Sequence, residues 1–261
     1  MIGLAFARRS ILGPNKMTLL LTEVHCLTDD LTDSVIVFAA DRRLSTSGRY
    51  HATKKKLFEV PGLRAGLGFF GLAEFRAENM PVSISDWLKR FIDTKSSTYD
   101  SLMDFARGLA KELNQLVPDS IRRREVSGFH LSGLNREGIP EFWFIRNVDD
   151  DRQTVVGTYS AREDFLSRDV QKVHTGEARI ISYRNGDIRG HIAAWERLDE
   201  AFFSLLQEPE FRLPRTSDEY GAWVKFKMQV LVHFYKQYCS SSILGGPIDT
   251  LVIRGPRRKA R

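Results

Sequence analysis

The stretch VIVFAADRRLS, from Val35 to Ser45, begins as a run of apolar residues and then changes abruptly to three charged residues. β-Branched and aromatic residues dominate its first part, which predicts a buried strand. Asp41, Arg42 and Arg43 follow this strand directly. Two interpretations are open: the strand reaches the surface at Asp41, or the end of the strand carries a charged site.

The flanking sequence predicts two pairs of strands before the first helix. MTLLLTEVHC (17–26) and SVIVFAAD (34–41) form one hairpin, with the polar segment LTDDLTD in its loop. KKLFEV (55–60) and LRAGLGFFGLA (63–73) form the second pair, and Pro61-Gly62 marks the turn between them.

A pair of helices and a second group of strands come next. The first helix is predicted in SISDWLKRFIDT, after a cap at Ser83 or Ser85. The second ends at Pro118 and carries an apolar stripe at spacings of three and four residues, formed by Leu102, Phe105, Leu109, Leu113 and Leu116. The strands that follow are SGFHLSGLN (127–135), PEFWFIRN (140–147), QTVVGTYS (153–160) and ARIISYR (178–184), with DVQKVHTGE (169–177) as a weaker candidate.

Two further helices and one strand complete the predicted order. The apolar face of the first helix holds Ile192, Trp195, Leu198, Phe202 and Leu205, and one face of the second holds Trp223, Phe226, Val230, Phe234 and Tyr238. Gly245-Gly246-Pro247 then breaks the chain before the strand IDTLVIRG (248–255). This order predicts an α+β fold in which two antiparallel sheets pack together and helices cover each outer side. We predict one domain over residues 17–254, an N-terminal extension over 1–16 that is removed or not translated, and a basic tail over 255–261.

Composition narrows the functional classes. The chain has 261 residues, 42% of them hydrophobic and 28% charged, with a formal net charge of +6. Its basic residues are spread along the chain, which disfavours nucleic acid as a partner, and no apolar run approaches the roughly 20 residues that cross a membrane. With only two cysteines, Cys26 and Cys239, the sequence offers no disulfide framework and no cysteine-rich metal site. We predict a cytoplasmic protein without a cofactor.

Four segments in order carry a family resemblance: FAADRRLS (38–45), KKKLFEV (54–60), FFGLAEF (69–75) and GGPIDTLVI (245–253). They resemble the successive signature segments of the proteasome β-subunit superfamily, including the bacterial proteasome-like peptidases of the HslV and Anbu type. The resemblance implies the four-layer αββα sandwich of the N-terminal-nucleophile hydrolases. It also implies a threonine-type peptidase that acts on peptides or unfolded proteins and assembles into a homo-oligomeric ring or spiral; the sequence does not reveal whether an ATPase accompanies it.

The resemblance implies a role for five residues of this chain. Thr18 matches the nucleophile, whose own α-amino group serves as the base; the ordinary pKa of that group, near 8, leaves part of it neutral at physiological pH. Asp41 matches the acid that orients the lysine and the terminal amine, and Lys56 matches the lysine that favours the alkoxide. Arg43 matches a basic position that supports the acid, and Gly71 matches the glycine whose backbone N–H faces the oxyanion.

Each of these assignments has a simpler alternative. Thr18 is also an ordinary strand threonine, and Asp41 with Lys56 is also a surface ion pair worth at most about 1 kcal/mol. Arg42 competes with Arg43 as the inward-facing arginine, and Gly71 also suits a crowded strand end. Other candidates have structural interpretations: Lys54 and Lys55 are solvated neighbours, Cys26 is a small buried hydrophobe, His130 is a core or surface histidine, and Gly245-Gly246 forms a tight turn.

Two features of the sequence keep a second functional class open. CSSSILG, before the last strand, has Ser241 and Ser242 but no acid where catalytic relatives often place one, and Asp187 stands where relatives supply a further serine. Thr18 follows Met17, so its amine is free only if the preceding residues are absent. The leading hypothesis is a threonine peptidase; a catalytically silent subunit with an assembly or binding role is the alternative, and a small-molecule amidase is a weaker third.

Overall fold

The computed structural model describes residues 19–46, 49–77, 80–149, 154–165, 171, 173–174, 179–186, 195–206, 208–239 and 244–255. The strands are β1 (Leu19–Cys26), β2 (Ser34–Asp41), β3 (Arg43–Thr46), β4 (Arg49–Thr53), β5 (Leu57–Val60), β6 (Ala65–Phe70), β7 (Glu74–Ala77), β8 (Met80–Ser83), β9 (Gly128–Leu134), β10 (Pro140–Asp149), β11 (Thr154–Glu163), β12 (Ile180–Gly186) and β13 (Ile248–Arg254). The helices are α1 (Ile84–Lys95), α2 (Leu102–Leu116), α3 (Asp119–Arg122), α4 (Trp195–Leu206) and α5 (Ser217–Tyr238). The predicted α+β class is confirmed.

Two antiparallel sheets contain most of the strands. The four-stranded sheet has the order β12-β1-β2-β13, and the five-stranded sheet has the order β11-β10-β9-β6-β5. The 17–41 hairpin appears as β1 and β2, with Thr22 opposite Phe38. Short β3–β4 and β7–β8 hairpins, which the sequence did not predict, lie outside these sheets.

Successive side chains of β1 and β2 point to opposite faces of the sheet, as in any strand, and the two faces belong to different apolar clusters. Leu20 and Phe38 belong to a cluster shared with Phe142 and Phe144 of the five-stranded sheet. Leu21 belongs to a separate cluster formed with α4 and α5. A third cluster joins the other side of the five-stranded sheet to α1 and α2. The first hairpin is therefore buried on both of its faces.

Side chains of the preceding residues cap three helices. Ser83, one of the two predicted caps, accepts the Asp86 N–H at the start of α1. Ser101 and Thr216 accept the corresponding N–H groups at the start of α2 and α5. The predicted stripe of α2 is buried from Leu102 to Leu113, and α2 ends at Leu116, before Pro118.

The apolar face predicted for α5 is not its buried face. Helix α5 packs inward through Tyr220, Val224, Lys227, Met228 and Leu231, whereas Phe226, Phe234 and Tyr238 of the predicted stripe are exposed. The cause is that α5 carries apolar residues on both faces and a lysine in the middle of the inward one.

Of the other predictions, Ile192 and most of the weaker candidate strand 169–177 lie outside the described residues. Within the described helices, none has the length and apolar composition needed to cross a membrane.

A buried charged cluster, here called the Glu23 cluster, links β1 to α4 and α5. One carboxylate oxygen of Glu23 accepts hydrogen bonds from Lys227 Nζ at 2.7 Å and from Trp195 Nε1 at 3.3 Å. The other oxygen accepts one from His25 Nε2 at 3.0 Å, and Lys227 also donates to Asp199 at 2.6 Å. Burial alone would raise the pKa of Glu23, but Lys227 and His25 outweigh it and lower this pKa to about 2.

Lowering the pH should reduce the free energy of unfolding by protonating Glu23. The pKa of this carboxyl is about 2 in the folded chain, against an ordinary value of 4.5, so its stabilising contribution is complete above pH 4.5 and is lost as the pH falls toward 2. We expect Glu23→Gln to lower the free energy of unfolding by about 3 kcal/mol at pH 7, because it leaves buried Lys227 with one fewer anion. Urea unfolding should show that this difference between the variant and the wild type shrinks as the pH falls below 4.5.

Glu137→Gln is the matched control, because Glu137 lies on the exposed turn between β9 and β10. This control should unfold as the wild type does at every pH. A difference between Glu23→Gln and the wild type that stays constant with pH would contradict the buried-carboxylate account.

Candidate active site

Asp41 ends β2 and joins four segments of the chain. Its Oδ1 accepts hydrogen bonds from Lys56 Nζ at 2.9 Å and from the Leu19 N–H at 3.0 Å, and its Oδ2 accepts the Gly245 N–H at 3.2 Å. Both Asp41 and Lys56 are buried, at 0% and 1% exposure. The surface-pair interpretation is therefore wrong, because the charged end of the opening stretch lies inside the protein.

Lys56 approaches Asp41 from the segment before β5. Its Nζ also donates to the backbone carbonyl of Arg43 at 2.7 Å. The lysine is anchored on both sides, since its own carbonyl accepts the Phe69 N–H and the Lys55 carbonyl accepts the Ser85 hydroxyl at 2.9 Å. Burial lowers the pKa of Lys56, and the neighbouring Asp41 opposes that shift. Lys56 therefore gives up a proton more readily than an exposed lysine does.

The two arginines that follow Asp41 point to different partners. Arg42 Nε donates to Asp249 on β13 at 2.7 Å, and its side chain is 42% exposed. Arg43 is half-buried and donates from its guanidinium to the Leu244 carbonyl at 3.1 Å. Because Gly245 follows Leu244 and donates to Asp41, Arg43 supports the acid through the turn before β13.

Gly245 is a site contact that sequence reasoning treated only as part of a turn. It has φ +156°, and a Cβ at this position would lie 2.6 Å from the Arg43 guanidinium. The neighbouring Gly246 has φ +77°. A Gly-Gly pair directly before a strand was the only sequence signal for this contact, because backbone N–H donors are common to nearly all residue types.

Gly71 follows β6, two residues after the Phe69 N–H that donates to Lys56. Its φ is +82°, and a Cβ would lie 2.1 Å from the Val126 carbonyl oxygen. Glycine is therefore required here by backbone conformation and by the close approach of the segment before β9. This geometry agrees with the crowded strand end that was one interpretation of Gly71.

Thr18 lies outside the described residues, as do Ser241, Ser242 and Asp187. The backbone nitrogen of Leu19 is described, and it donates to Asp41. This nitrogen belongs to the Thr18–Leu19 peptide bond. The described site thus consists of Asp41, Lys56, Arg43, Gly71 and Gly245.

His130 is a core histidine, as one interpretation held. It is fully buried between the sheets, with Nδ1 3.0 Å from the Thr22 hydroxyl and Nε2 hydrogen-bonded to Asn185 Oδ1. Burial lowers the pKa of His130 to about 3, so the ring is neutral at physiological pH. Nε2 then carries the proton, because the amide oxygen of Asn185 can only accept.

Within the described ranges, no three His, Cys, Asp or Glu side chains converge as metal ligands do. Comparison with protein-family models gives no match to this sequence, and no curated protein sequence matches it.

The steric requirement at Gly71 gives a matched pair of substitutions. Gly138 has nearly the same φ, +85°, but a Cβ there would meet no atom closer than 3.9 Å. We expect Gly138→Ala to lower the free energy of unfolding by about 1 kcal/mol from backbone strain alone. Gly71→Ala adds the clash with Val126 and should lower it by about 3 kcal/mol.

Urea unfolding of the two variants measures the difference. Equal losses of stability would show that the segment before β9 moves away from residue 71 freely, which would contradict the steric account.

Proposed function

We propose that this protein is a threonine peptidase of the N-terminal-nucleophile type, with Thr18 as nucleophile. The observation that carries the proposal is the buried Asp41–Lys56 pair, 3.0 Å from the amide nitrogen that follows Thr18. A buried ion pair with a lysine of lowered pKa is costly to a fold, and such groups concentrate at functional sites. The residues of this pair are two that the resemblance to proteasome β-subunits implies.

The described fold supports the four-layer αββα sandwich that this proposal requires. One apolar cluster joins the two sheets, and two others join each sheet to a helix pair. The site elements β1, β2, β5 and β6 meet at one end of the sheets.

The proposed reaction begins when the Thr18 hydroxyl oxygen attacks the carbonyl carbon of a peptide amide. The α-amino group of Thr18 takes the hydroxyl proton, and the Lys56 ammonium favours the developing alkoxide. Negative charge collects on the carbonyl oxygen beside the Gly71 N–H. The C–N bond breaks, the amine leaves with the proton, and an ester on Thr18 remains. Water then attacks this ester, the α-amino group again transfers the proton, and the acid product and the free hydroxyl are regenerated.

The alternative is a silent subunit that keeps the sandwich for assembly or binding. It is favoured by the segment CSSSILG (239–245), which has no acid to position the amine. The two functions differ in whether residue 18 becomes the first residue of the chain.

The first experiment is the intact mass and N-terminal sequence of the protein expressed from its natural upstream region. We expect a chain that begins at Thr18, because the amine has to be free to act as the base. A stable chain that begins at Met1 or Met17 and does not hydrolyse peptide amides would contradict the peptidase and favour the silent subunit.

Substitutions at Thr18 and Lys56 test the chemistry. Thr18→Ala should reduce hydrolysis of a fluorogenic peptide amide by more than about a thousandfold, because it removes the nucleophile, and Lys56→Ala by at least about a hundredfold. Lys54→Ala is the matched control: Lys54 lies two residues away, half-exposed beside Asp86, and its loss should leave the rate unchanged. Full turnover by Thr18→Ala would contradict the site assignment. Because Thr18→Ala leaves the Asp41–Lys56 pair intact, this test holds even if Lys56→Ala, which removes the lysine from Asp41, fails to fold.

We extend the proposal to self-association through the outer face of α5. Phe226, Phe234 and Tyr238 are 45%, 59% and 76% exposed, so they leave roughly 350 Å² of aromatic surface in water. Leu205 of α4 is 48% exposed, and Phe202 packs on Phe226. The largest apolar patch on a typical monomer is of this size and often has a function, and a second copy bringing the same face would bury a comparable area from its side.

Phe234→Glu should weaken this association at least tenfold, because it places a charge in the apolar contact. Sedimentation velocity over a concentration series measures the effect. Met103→Glu, on the exposed face of α2, is the control and should associate as the wild type does. A wild-type chain that stays monomeric at its highest soluble concentration would contradict the proposed interface.

Peptide turnover inside a cell fits a cytoplasmic location, which is part of this proposal. Cys26 and Cys239 are not joined in a disulfide, as suits a reducing compartment.

A further inference from the structure

Asn147 occupies a fully buried position near the end of β10. The pairing of β10 with β11 shifts register between Arg146 and Val148, and Asn147 stands at that irregularity. Its exposure is 0%. A buried side-chain amide is tolerated in a fold only when its oxygen and its nitrogen both find hydrogen-bond partners. The partners of Asn147 therefore show what this side chain holds in place.

The side chain of Asn147 is bonded to the backbone of residues 122–127, here called the pre-β9 segment. Its Oδ1 accepts the Ser127 N–H at 3.0 Å, and its Nδ2 donates to the Arg122 carbonyl at 2.7 Å and to the Glu125 carbonyl at 2.8 Å. The backbone N–H of Asn147 also donates to the Ser127 carbonyl at 3.4 Å. An acceptor and two donors on one group are offered only by asparagine and glutamine.

The opposite side of the pre-β9 segment lies against Gly71. A Cβ built on Gly71 would lie 2.1 Å from the Val126 oxygen and 2.8 Å from the Ser127 Cα. The register of the sheet agrees, because Phe70 pairs with Gly128. The next residues in the antiparallel direction are Gly71 and Ser127. The pre-β9 segment is therefore packed between Gly71 on one side and Asn147 on the other.

This packing bears on the direction of the Gly71 N–H. Gly71 has φ +82°, and glycine adopts positive and negative φ about equally readily. An unsupported glycine could therefore turn its N–H away from a bound substrate. The Val126 carbonyl and the Ser127 backbone fill the space beside the Gly71 Cα, and Asn147 keeps both of them there.

We propose that Asn147 is a positioning residue that fixes the orientation of the Gly71 N–H through the pre-β9 segment. Two strand spacings, about 10 Å, separate the backbones of Asn147 and Gly71, so Asn147 acts through the segment. Assigning this N–H to the oxyanion rests on the proposed function, whereas the contacts that join Asn147 to Gly71 do not. Under that function Asn147 should affect the transition state more than substrate binding, because negative charge collects on the carbonyl oxygen during the attack.

Steady-state hydrolysis of a fluorogenic peptide amide tests the role of Asn147 in the reaction. Asn147→Ala should lower kcat at least about tenfold and change KM less than about threefold, since removing an oxyanion donor outright costs about a hundredfold or more. Asn147→Ser retains a hydroxyl that can replace one of the lost contacts, and it should lower kcat at least about threefold. This second variant keeps the test open if Asn147→Ala does not fold.

Asn135→Ala is the matched control. Asn135 lies in the turn between β9 and β10, at the opposite end of these two strands, and its Oδ1 accepts the N–H groups of Glu137 and Ile139. The substitution removes an amide that also holds backbone, about 25 Å from Gly71 along β9. The kcat of this control should stay within about twofold of the wild-type value.

A second readout does not depend on activity. Phe70-Gly71 is the only Phe-Gly pair in the sequence. A full chain labelled with carbonyl-¹³C phenylalanine and ¹⁵N glycine therefore gives one carbon-filtered N–H peak in its NMR spectrum, that of Gly71. This peak should move in Asn147→Ala and in Asn147→Ser, and it should keep its wild-type position in Asn135→Ala.

The two readouts together decide the proposal. Wild-type kcat in both Asn147 variants, an equal loss of kcat in Asn135→Ala, or a Gly71 peak that stays in place would overturn the positioning role. Failure of the proposed function looks different: the wild type would not hydrolyse peptide amides, yet the Gly71 peak would still respond to the substitutions at Asn147 and not to the one at Asn135.

Discussion

The ion pair between Asp41 and Lys56 is the constraint on which the rest of the site depends. Removing both charges from water is unfavourable by several kcal/mol for each group, and the loss is recovered only when each charge is surrounded by hydrogen-bonding partners. Among the described residues, Asp41 accepts hydrogen bonds from Lys56 and from the Leu19 and Gly245 N–H groups, and Lys56 also donates to the Arg43 carbonyl. These partners come from the start of β1, the segment after β2 and the turn before β13, so satisfying two charges fixes the relative positions of three strand ends.

The regular part of the fold was predictable because its signals are local. The strands β1, β2, β6 and β9 are short runs of apolar residues between turn residues, and helix α2 has its apolar residues three and four positions apart. The short hairpins β3–β4 and β7–β8 were missed because short sequences such as RLST and RYHAT alternate only weakly. The inward face of α5 was misjudged because Lys227 lies at its centre. Only the acids Glu23 and Asp199 on other elements make a lysine suitable there.

The residues of the candidate site also fall into those that the sequence predicted and those that it did not. Asp41 and Lys56 were found because their residue types and neighbours match a family pattern, but their burial depends on how the sheets and α1 pack around them. The sequence therefore permitted a surface pair that the structure excludes. Gly245 was predicted only as part of a tight turn, because its contact with Asp41 is made by a backbone N–H, which nearly every residue type has.

The hydrogen bond from the Leu19 nitrogen to Asp41 bears on the order of events as the protein is made. The Leu19 N–H belongs to a peptide bond, so this contact does not require residue 18 to be the first residue of the chain. Under the proposed function, folding and trimming would then be separable steps. A precursor would present a finished site lacking only a free amine, and a single cleavage or methionine removal would add the base without rearranging the sheets. Processing would determine when the protein becomes active, and newly synthesised protein would stay inactive until it is processed.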